Sequence, residues 1–366
     1  MKEALIQKEA LIQKEVLIQE KVLNKENLSQ EKTLVIEGLC AGFPARRGEV
    51  RVLDHVSLSV PKGKITGLVG ESGCGKSMTA RAVMNLIRHP GRVTGGRILL
   101  EGRDLLSMRK KERRMLQGRE IAMIFQDPMS SLNPVMKVGK QVDEAVLVHE
   151  HVTHAEAKRR TLEMLEAAGV PDPERRYHSY PHQLSGGLRQ RIMIAMAMVC
   201  RPKLLIADEP TTALDVTVEA QILDLMKEMS AKGTAVLLIS HNLGAIARVC
   251  DDVSVMYAGK IVEQADICTL FDRPRHPYTR GLLSAVSSLR DGSEVLSVIP
   301  GHVPNLARLP AGCSFSPRCS CRGKECMEKT PEMREISPGH RIRCLWEEPG
   351  KKPGEKELET EGLATE

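Results

Sequence analysis

The octapeptide Gly70-Glu71-Ser72-Gly73-Cys74-Gly75-Lys76-Ser77 matches the pattern G-x-x-x-x-G-K-[ST] in full. It follows a predicted strand, Ile65 to Val69, and opens a predicted helix. Glycines let such a loop curl so that its backbone N–H groups face phosphates, and the helix N-terminus adds partial positive charge. Lys76 would reach the β- and γ-phosphates, and the Ser77 hydroxyl would ligate Mg²⁺. The loop and the following Met78 are therefore predicted to bind the nucleotide.

A pair of carboxylates forms the second half of this predicted site. The apolar run Leu204 to Ala207 ends in Asp208 and Glu209. Asp208 suits Mg²⁺, directly or through water, and Glu209 suits the base that polarises the attacking water. Loop and carboxylates together predict a P-loop NTPase that uses ATP and Mg²⁺.

The surrounding sequence predicts an α/β domain. Ile121 to Phe125 and Ala235 to Ile239 are short apolar runs bounded by polar residues, as buried parallel strands should be. Charged helical sequence is predicted from the loop to about Gly118, and residues 135–200 are predicted to be mostly helix. Strands and helices that alternate in this way predict a largely parallel sheet.

Four shorter motifs narrow the class of ATPase. Leu184-Ser185-Gly186-Gly187 precedes a predicted helix, where two glycines and a serine make a second anion site. Gln126 follows one predicted strand, Asp215 ends the stretch Thr212 to Asp215, and His241 follows another strand. The order of these motifs along the chain resembles that of the nucleotide-binding subunits of ABC transporters.

The resemblance implies a role for each motif. In that family the Ser-Gly-Gly stretch binds the γ-phosphate of ATP held by the opposite subunit. Gln126 matches a residue that contacts Mg²⁺ or the attacking water and links the ATPase to the membrane subunit. Asp215 matches a residue that lies across the dimer, and His241 matches one that contacts the γ-phosphate.

Two further positions in the predicted site concern an aromatic ring and a thiol. Phe43 matches an aromatic residue that stacks on adenine in the family, and the alternative is a core or turn residue. Many family members carry Ser where this chain has Cys74. Since a helix N-terminus lowers the pKa of a nearby thiol, we expect Cys74 to react readily, its alkylation to block ATP binding, and ATP to protect it.

Three longer stretches resemble one group within the family, the oligopeptide/dipeptide importer ATPases. They are Phe125 to Pro134, Tyr180 to Gly187 and His276 to Arg280, the last opening a C-terminal extension typical of the group. The resemblance covers residues 33–346. We expect His276 to Arg280 and Pro300 to Arg318 to serve packing rather than chemistry.

The C-terminal extension carries five of the ten cysteines, with spacings C-x5-C, C-x-C, C-x4-C and C-x17-C. No C-x2-C pair is present, so a zinc ribbon is not favoured. In some dipeptide-importer ATPases the matching cysteines resemble a [4Fe–4S] site, which implies Cys313, Cys319, Cys326 and Cys344 as ligands and Cys321 as the spare. Zinc and free thiols stay open as alternatives.

Composition and charge exclude several other classes. The 366 residues are 42% hydrophobic and 2% aromatic with a net charge of +6, and no basic block predicts nucleic-acid binding. No run of about 18 apolar residues and no secretory signal is visible, so the chain is expected to stay in the cytoplasm with its cysteines reduced or metal-bound.

The predicted organisation is a repetitive charged tail (1–32), the ATPase domain with a helical subdomain (33–272), the small Cys-containing extension (273–346) and a disordered tail (347–366).

The repeat Lys2 to Gln7, continued to Gln19, steps about 240° around a helix every six residues and keeps no apolar face. It is interpreted as a loosely helical tail without a catalytic role, the alternative being a partner-binding helix.

The resemblance implies an ATPase at the cytoplasmic face of the bacterial cell membrane that powers import of di- or oligopeptides. Its expected partners are a homologous ATPase subunit in a heterodimer, two membrane-spanning permease subunits and, indirectly, an extracytoplasmic peptide-binding protein. Nickel or another small solute is an alternative cargo, because nickel importers share much of these motifs. A soluble ABC ATPase usually carries two such domains or a long coiled-coil insertion, which this chain lacks, and intact motifs argue against a regulatory subunit with dead ATP sites.

Overall fold

The strands that lead into the phosphate loop and the carboxylate pair are short, apolar and buried along their whole length. They are β3 (Ile65–Val69) and β7 (Leu204–Asp208), and β8 (Ala235–Ser240) has the same character. Such runs are typical of strands that are covered on both faces. The computed structural model describes residues 31–45, 48–126, 131–211, 215–290 and 299–345.

The remaining elements alternate along the chain between strands and helices. The other strands are β1 (Lys32–Ala45), β2 (Gly48–Pro61), β4 (Arg92–Leu100), β5 (Arg103–Asp104), β6 (Ile121–Ile124), β9 (Asp252–Tyr257), β10 (Lys260–Asp266), β11 (Arg334–Ser337) and β12 (His340–Ile342). The helices are α1 (Lys76–Val83), α2 (Lys110–Leu116), α3 (Val138–Leu147), α4 (His154–Ala167), α5 (Pro173–Tyr177), α6 (Gly186–Met198), α7 (Val216–Ala231), α8 (Leu243–Val249), α9 (Ile267–Asp272), α10 (Pro277–Arg290) and α11 (Glu325–Glu328), with short 3₁₀ turns at Pro181–Gln183 and Leu306–Arg308.

The chain forms two compact units. The first takes in described residues from Met1–Glu37, Ser57–Thr66 and Arg97–Leu237, and the second takes in those from Gly38–Val56, Gly67–Gly96 and Leu238–Glu366. Strands whose residues are divided between these ranges belong to both units.

In the first unit the strands follow the orders β3-β8-β7-β6 and β2-β1-β4-β5. β6 pairs parallel with β7, and Ile124 stands opposite Ala207. Parallel pairing brings the carboxyl ends of both strands to one edge, where the residues that follow them can meet. Helices α2 to α7 belong to this unit, and its core is aliphatic, with Ile192, Met193 and Ile194 buried.

In the second unit the strands follow the order β11-β12-β10-β9-β3-β8 together with β2-β1-β4. β9, β10, β12 and β11 are joined by antiparallel pairing, with Glu263 opposite Ile342. The C-terminal extension thus adds two strands to this unit. Its buried aromatic cluster consists of Tyr257, Tyr278 and Phe315, with ring centroids 4.6 to 5.4 Å apart.

The predicted α/β class, with a P-loop NTPase fold, is confirmed. The prediction of helical sequence up to Gly118 is wrong in part, because β4 and β5 occupy Arg92–Leu100 and Arg103–Asp104. Charged residues at the exposed positions of β4 conceal the β-branched Val93, Thr94 and Ile98, which are the residues that favour a strand.

Among the helices that the structure describes, none is long and apolar enough to cross a membrane. The N-terminal repeat and the tail after Pro349 lie outside the described residues. So do Asp127 to Ser130 of the first importer-like stretch and Thr212 to Leu214 before Asp215.

Candidate nucleotide-binding and hydrolysis site

The phosphate loop connects β3 to α1 within the second unit, and its backbone requires glycine at two positions. Gly70 has φ of 152°, and a Cβ there would lie 2.2 Å from the carbonyl oxygen of Met256. Gly75 immediately precedes α1 with φ of 113°, a conformation that residues with a Cβ rarely adopt. The loop therefore curls tightly at the N-terminus of a helix, which is the geometry of an anion-binding site.

The ammonium group of Lys76 lies inside this loop. Its Nζ donates hydrogen bonds to the carbonyl oxygens of Gly70 (2.6 Å) and Glu71 (3.0 Å), and the residue is only 5% exposed. A buried cation held by neutral carbonyls is a strong site for an anion, because a charged acceptor makes a stronger hydrogen bond with it. Ser77, the next residue, is half-buried in the first turn of α1.

The surroundings of Cys74 oppose the low thiol pKa that its position predicts. Its side chain is fully buried, and burial raises the pKa of the thiol above its ordinary value, with Lys76 opposing that shift only in part. The prediction of a lowered thiol pKa is therefore wrong, and we instead expect Cys74 to react slowly. A helix N-terminus favours the thiolate, but the loss of water around a buried sulfur disfavours it more.

Two residues of the C-terminal extension contact the phosphate loop, and sequence reasoning assigned both to packing. The Tyr278 hydroxyl accepts a hydrogen bond from the backbone N–H of Glu71 (2.8 Å). The Arg318 guanidinium donates two hydrogen bonds to the Glu71 carboxylate, at 2.6 and 3.0 Å. The one indication of these contacts in the sequence is Glu71, the single acidic residue of the loop, because a partly buried carboxylate needs a cationic partner.

The first unit brings Gln126 and Glu209 together. Each follows one strand of the parallel pair β6 and β7, and the Gln126 Nε2 donates a 2.9 Å hydrogen bond to the Glu209 carboxylate. Glu209 has φ of +49°, an unusual backbone conformation for a residue with a Cβ, and such strain is frequent at functional positions. Asp208, the last residue of β7, is 3% exposed. Amide and carboxylate oxygens are thus concentrated at one sheet edge.

The other motif residues of the first unit begin helices. Ser185 is the N-cap of α6, and its side chain accepts a hydrogen bond from the backbone N–H of Leu188 (3.3 Å). Ser185 and Gly186 are exposed and Gly187 is half-buried, which leaves the start of a 13-residue helix open to an external anion. Asp215 caps α7 in the same way, accepting from the N–H of Val218 at 2.9 Å.

In the second unit, His241 is exposed in the turn between β8 and α8. The next residue, Asn242, caps α8 by accepting from the backbone N–H groups of Gly244 and Ala245. Phe43 is half-buried near the end of β1, and its ring lies against Gly91, where a Cβ would stand 2.5 Å from a ring carbon. The space beside the Phe43 ring at this point is therefore available only to a glycine.

A cluster of Cys40, Asp54 and His55 has donor atoms within 4.8 Å of one another, the spacing of a metal site. The Asp54 carboxylate, however, accepts hydrogen bonds from Lys260 and Arg51. Although burial raises the pKa of Asp54, these contacts and one with His55 lower it to about 2. Two cations already compensate this carboxylate, so we assign the cluster to structure rather than to metal binding.

Four cysteines of the extension line one small cavity of about 20 Å³. They are Cys313, Cys319, Cys326 and Cys344, and Cys321 is not among the lining residues. None of them is in a disulfide. Burial raises the pKa of Cys313 and raises that of Cys319 to about 12.

Comparison with known proteins identifies two matching families. A profile described as "ABC transporter" matches residues 53–212, and one described as "Oligopeptide/dipeptide transporter, C-terminal region" matches residues 262–326. The chain is 48% identical over 321 residues to the "Probable peptide ABC transporter ATP-binding protein y4tR" of Sinorhizobium fredii, covering 87% of this chain and 96% of the relative.

Two further relatives have similar coverage. The oligopeptide transport ATP-binding protein OppD of Bacillus subtilis is 48% identical over 315 residues, which are 85% of this chain and 88% of the relative. The dipeptide transport ATP-binding protein DppD of Escherichia coli is 45% identical over 312 residues, 85% of this chain and 95% of the relative.

Solved structures show the same fold. A dimeric ATP-binding cassette in a post-hydrolysis state with ADP and phosphate bound superposes with a TM-score of 0.59 at 22% identity, covering 64% of this chain and 98% of the other. An ATP-binding subunit of an ABC transporter gives a TM-score of 0.56 at 26% identity, covering 71% of this chain and 98% of that one.

Proposed function

Since this chain belongs to the family of ABC transporter ATP-binding subunits, in the group of oligopeptide and dipeptide transporters, we propose that it hydrolyses ATP to power peptide import across the bacterial cell membrane. The ATPase domain is assigned to residues 33–272 and the extension to residues 273–346. The subunit would work at the cytoplasmic face of the membrane, paired with a homologous ATPase and bound to two permease subunits, with an extracytoplasmic binding protein delivering the peptide.

The loop of the second unit would bind the nucleotide phosphates. Bound phosphate oxygens would replace the Gly70 and Glu71 carbonyl oxygens as acceptors from Lys76, since a phosphate carries the charge that the carbonyls lack. The Ser77 hydroxyl would supply one oxygen ligand to Mg²⁺, and His241 would contact the γ-phosphate. Phe43 would stack on adenine.

In the first unit, oxygen donors of the kind that Mg²⁺ prefers are present at the edge formed by β6 and β7. Asp208 and Gln126 would hold the ion, which when bound neutralises charge on the phosphates. Glu209 would accept the proton of the attacking water, and the Gln126 amide, at 2.9 Å, orients its carboxylate. Ser185, Gly186, Gly187 and Asp215 would meet the nucleotide held by the partner ATPase.

The assignment of peptides as the cargo rests on the match of residues 262–326 to the C-terminal region of oligopeptide/dipeptide transporters. Relatives that are 44 to 48% identical are named as peptide, oligopeptide or dipeptide transport proteins.

A pull-down of the tagged full-length chain from mild-detergent membranes tests this function. We expect two multi-spanning subunits, a second ATPase and a peptide-binding protein. A nickel-binding protein in place of the peptide binder would change the cargo and keep the mechanism. Ribosomal or DNA-repair proteins without membrane proteins would contradict the transporter function.

The four cysteines around the small cavity would hold a [4Fe–4S] cluster, with Cys321 outside it. Thiolates are the ligands of such clusters, and one cavity collects four of them. In a tetrahedral zinc site with Zn–S bonds of about 2.3 Å, the sulfurs would lie roughly 3.8 Å apart. Among the described residues, no three of these cysteines have their sulfurs mutually within 4.8 Å, so zinc binding would require the side chains to move closer together.

Anaerobic purification tests this assignment. We expect a brown protein that absorbs near ~410 nm and contains iron and sulfide. Cys319→Ser should abolish the colour, whereas the matched variant Cys321→Ser should keep it. A colourless protein with stoichiometric zinc would show that zinc is the metal, and loss of colour in Cys321→Ser would show that the ligand set is different.

A further inference from the structure

We propose that the C-terminal extension positions the phosphate loop for nucleotide binding, with Arg318 and Tyr278 as positioning residues that act through Glu71. The proposal rests on the proposed ATP binding and adds a determinant of nucleotide affinity outside the loop. All the residues that carry it belong to the second unit.

The Arg318–Glu71 pair has the geometry of a specific ion pair. Both carboxylate oxygens of Glu71 accept from the two terminal nitrogens of Arg318, at 2.6 and 3.0 Å. The Arg318 side chain is 5% exposed and that of Glu71 is 28% exposed, so the pair is shielded from solvent on the arginine side. A bidentate pair of this kind fixes both the distance and the orientation of the carboxylate.

The guanidinium is itself held in place from several directions. Its Nε donates to the carbonyl of Pro300 (2.9 Å), a terminal nitrogen donates to that of Ile299 (3.3 Å), and the Tyr257 ring lies 5.9 Å from its central carbon. A residue that only balanced the charge of Glu71 would not need these extra contacts. Arg318 is therefore a rigid support rather than a mobile surface cation.

Tyr278 contacts the backbone of Glu71. Its hydroxyl accepts from the Glu71 N–H at 2.8 Å, and its side chain is fully buried against Tyr257 and Phe315. Side chain and main chain of Glu71 thus each have a partner from the extension. Because Glu71 is the second residue of the loop, holding it restricts the conformations that the loop can adopt before ATP arrives, and such preorganisation increases affinity.

The cysteine segment fixes the position of Arg318 in turn. This segment consists of successive turns. Backbone N–H groups donate to carbonyl oxygens three residues earlier, from Ser316 to Cys313, from Arg318 to Phe315 and from Cys319 to Ser316. Arg318 precedes Cys319, one of the cavity-lining cysteines, by one residue. Local turns thus hold the backbone around Arg318, next to the cavity-lining cysteines.

The test measures the Kd of the Mg²⁺ complex of a fluorescent trinitrophenyl-ATP for the full-length chain, with Tm as a check on folding. We expect Arg318→Ala to raise Kd about tenfold, because the loop is then no longer held in its binding conformation before the nucleotide arrives. Arg318→Lys should restore part of the lost affinity, because it restores the positive charge but not the bidentate pair of hydrogen bonds. Tyr278→Phe should also raise Kd, and Arg322→Ala, an exposed arginine of the same segment, should not.

A double-mutant cycle with Glu71→Gln separates positioning from general destabilisation. If Arg318 acts through Glu71, Arg318→Ala should have little further effect on Kd in the Glu71→Gln background. An unchanged Kd for Arg318→Ala, or an equal effect in both backgrounds, would overturn the proposal. Should Arg318→Ala not fold, an unchanged Kd in both Glu71→Gln and Tyr278→Phe would overturn it. Failure of the wild-type chain to bind the probe would instead contradict the proposed ATPase function.

Discussion

The side-chain amide of Gln126 donates a 2.9 Å hydrogen bond to the carboxylate of Glu209, although the two residues are 83 positions apart. Their strands, β6 and β7, pair in parallel, so the residues that follow each strand emerge at the same sheet edge. The amide holds the carboxylate without a positive charge. The hydrogen bond fixes the position of the Glu209 carboxylate at this edge of the sheet.

Replacement of Glu209 by Gln should separate ATP binding from hydrolysis. The amide keeps the shape of the side chain but cannot accept the proton of the attacking water, so we expect kcat to fall about 100-fold or more. Nucleotide Kd should change little. The control is Glu228→Gln, which makes the same change at an exposed position of α7. Normal hydrolysis by Glu209→Gln would assign the base elsewhere.

Replacement of Lys76 by Ala should abolish nucleotide binding at ordinary concentrations. The loop loses the buried cation that contacts its Gly70 and Glu71 carbonyls, and the phosphates lose a charged donor. We expect Kd to rise on the order of 100-fold, measured with fluorescent ATP. Lys232→Ala, an exposed lysine at the end of α7, is the charge-matched control. Equal affinities for the two variants would remove Lys76 from the site.

Alkylation of Cys74 should be slow, because the thiol is fully buried and burial raises its pKa. Cys268, which is exposed, provides an internal reference and should be modified first. Peptide mass mapping during a time course with iodoacetamide measures both rates. We expect ATP to slow the modification of Cys74 further and to leave Cys268 unaffected. Cys74 modified as fast as Cys268 would contradict the burial, and full ATPase activity after complete Cys74 modification would place the thiol away from the nucleotide.

Stability should decrease on acidification because of His276. This residue is buried, and burial lowers its pKa from 6.5 to about 4. Between these values the unfolded chain binds a proton that the folded chain does not, so the free energy of unfolding falls as the pH decreases through this window. The loss amounts to about 1.4 kcal/mol per pH unit.

His276→Asn removes this titration and leaves a side chain that can still accept from the N–H of Tyr278, as the His276 Nδ1 does at 3.1 Å. The Tm of the wild type should therefore fall more steeply than that of the variant between pH 6.5 and 4.5. The buried Glu263, whose pKa is raised by burial but lowered overall by contacts that include His340, would weaken the fold only at still lower pH. Parallel Tm profiles would show that His276 does not titrate in this window.

Local motifs could be read from the sequence because their geometry depends on consecutive residues. The run Ile65–Val69 and the glycines that follow it predict strand, loop and helix together, and the structure has all three. Charged residues in β4 concealed a strand that its sheet neighbours stabilise, which is a tertiary effect on local preference. The direction of the Cys74 pKa shift was predicted wrongly because only the surrounding packing decides whether water reaches the sulfur.

The sequence by itself determined that the chain carries a phosphate loop, a carboxylate pair at a strand end and a helix-capping Ser-Gly-Gly, since each is a contiguous pattern with one favoured backbone geometry. Only the tertiary structure decided that Arg318 and Tyr278 hold Glu71, across separations of 247 and 207 residues. Contacts at such separations leave no periodic signal along the chain. They form because a partly buried carboxylate and a partly buried backbone N–H must each find a partner, and folding alone determines which residues are near enough to serve.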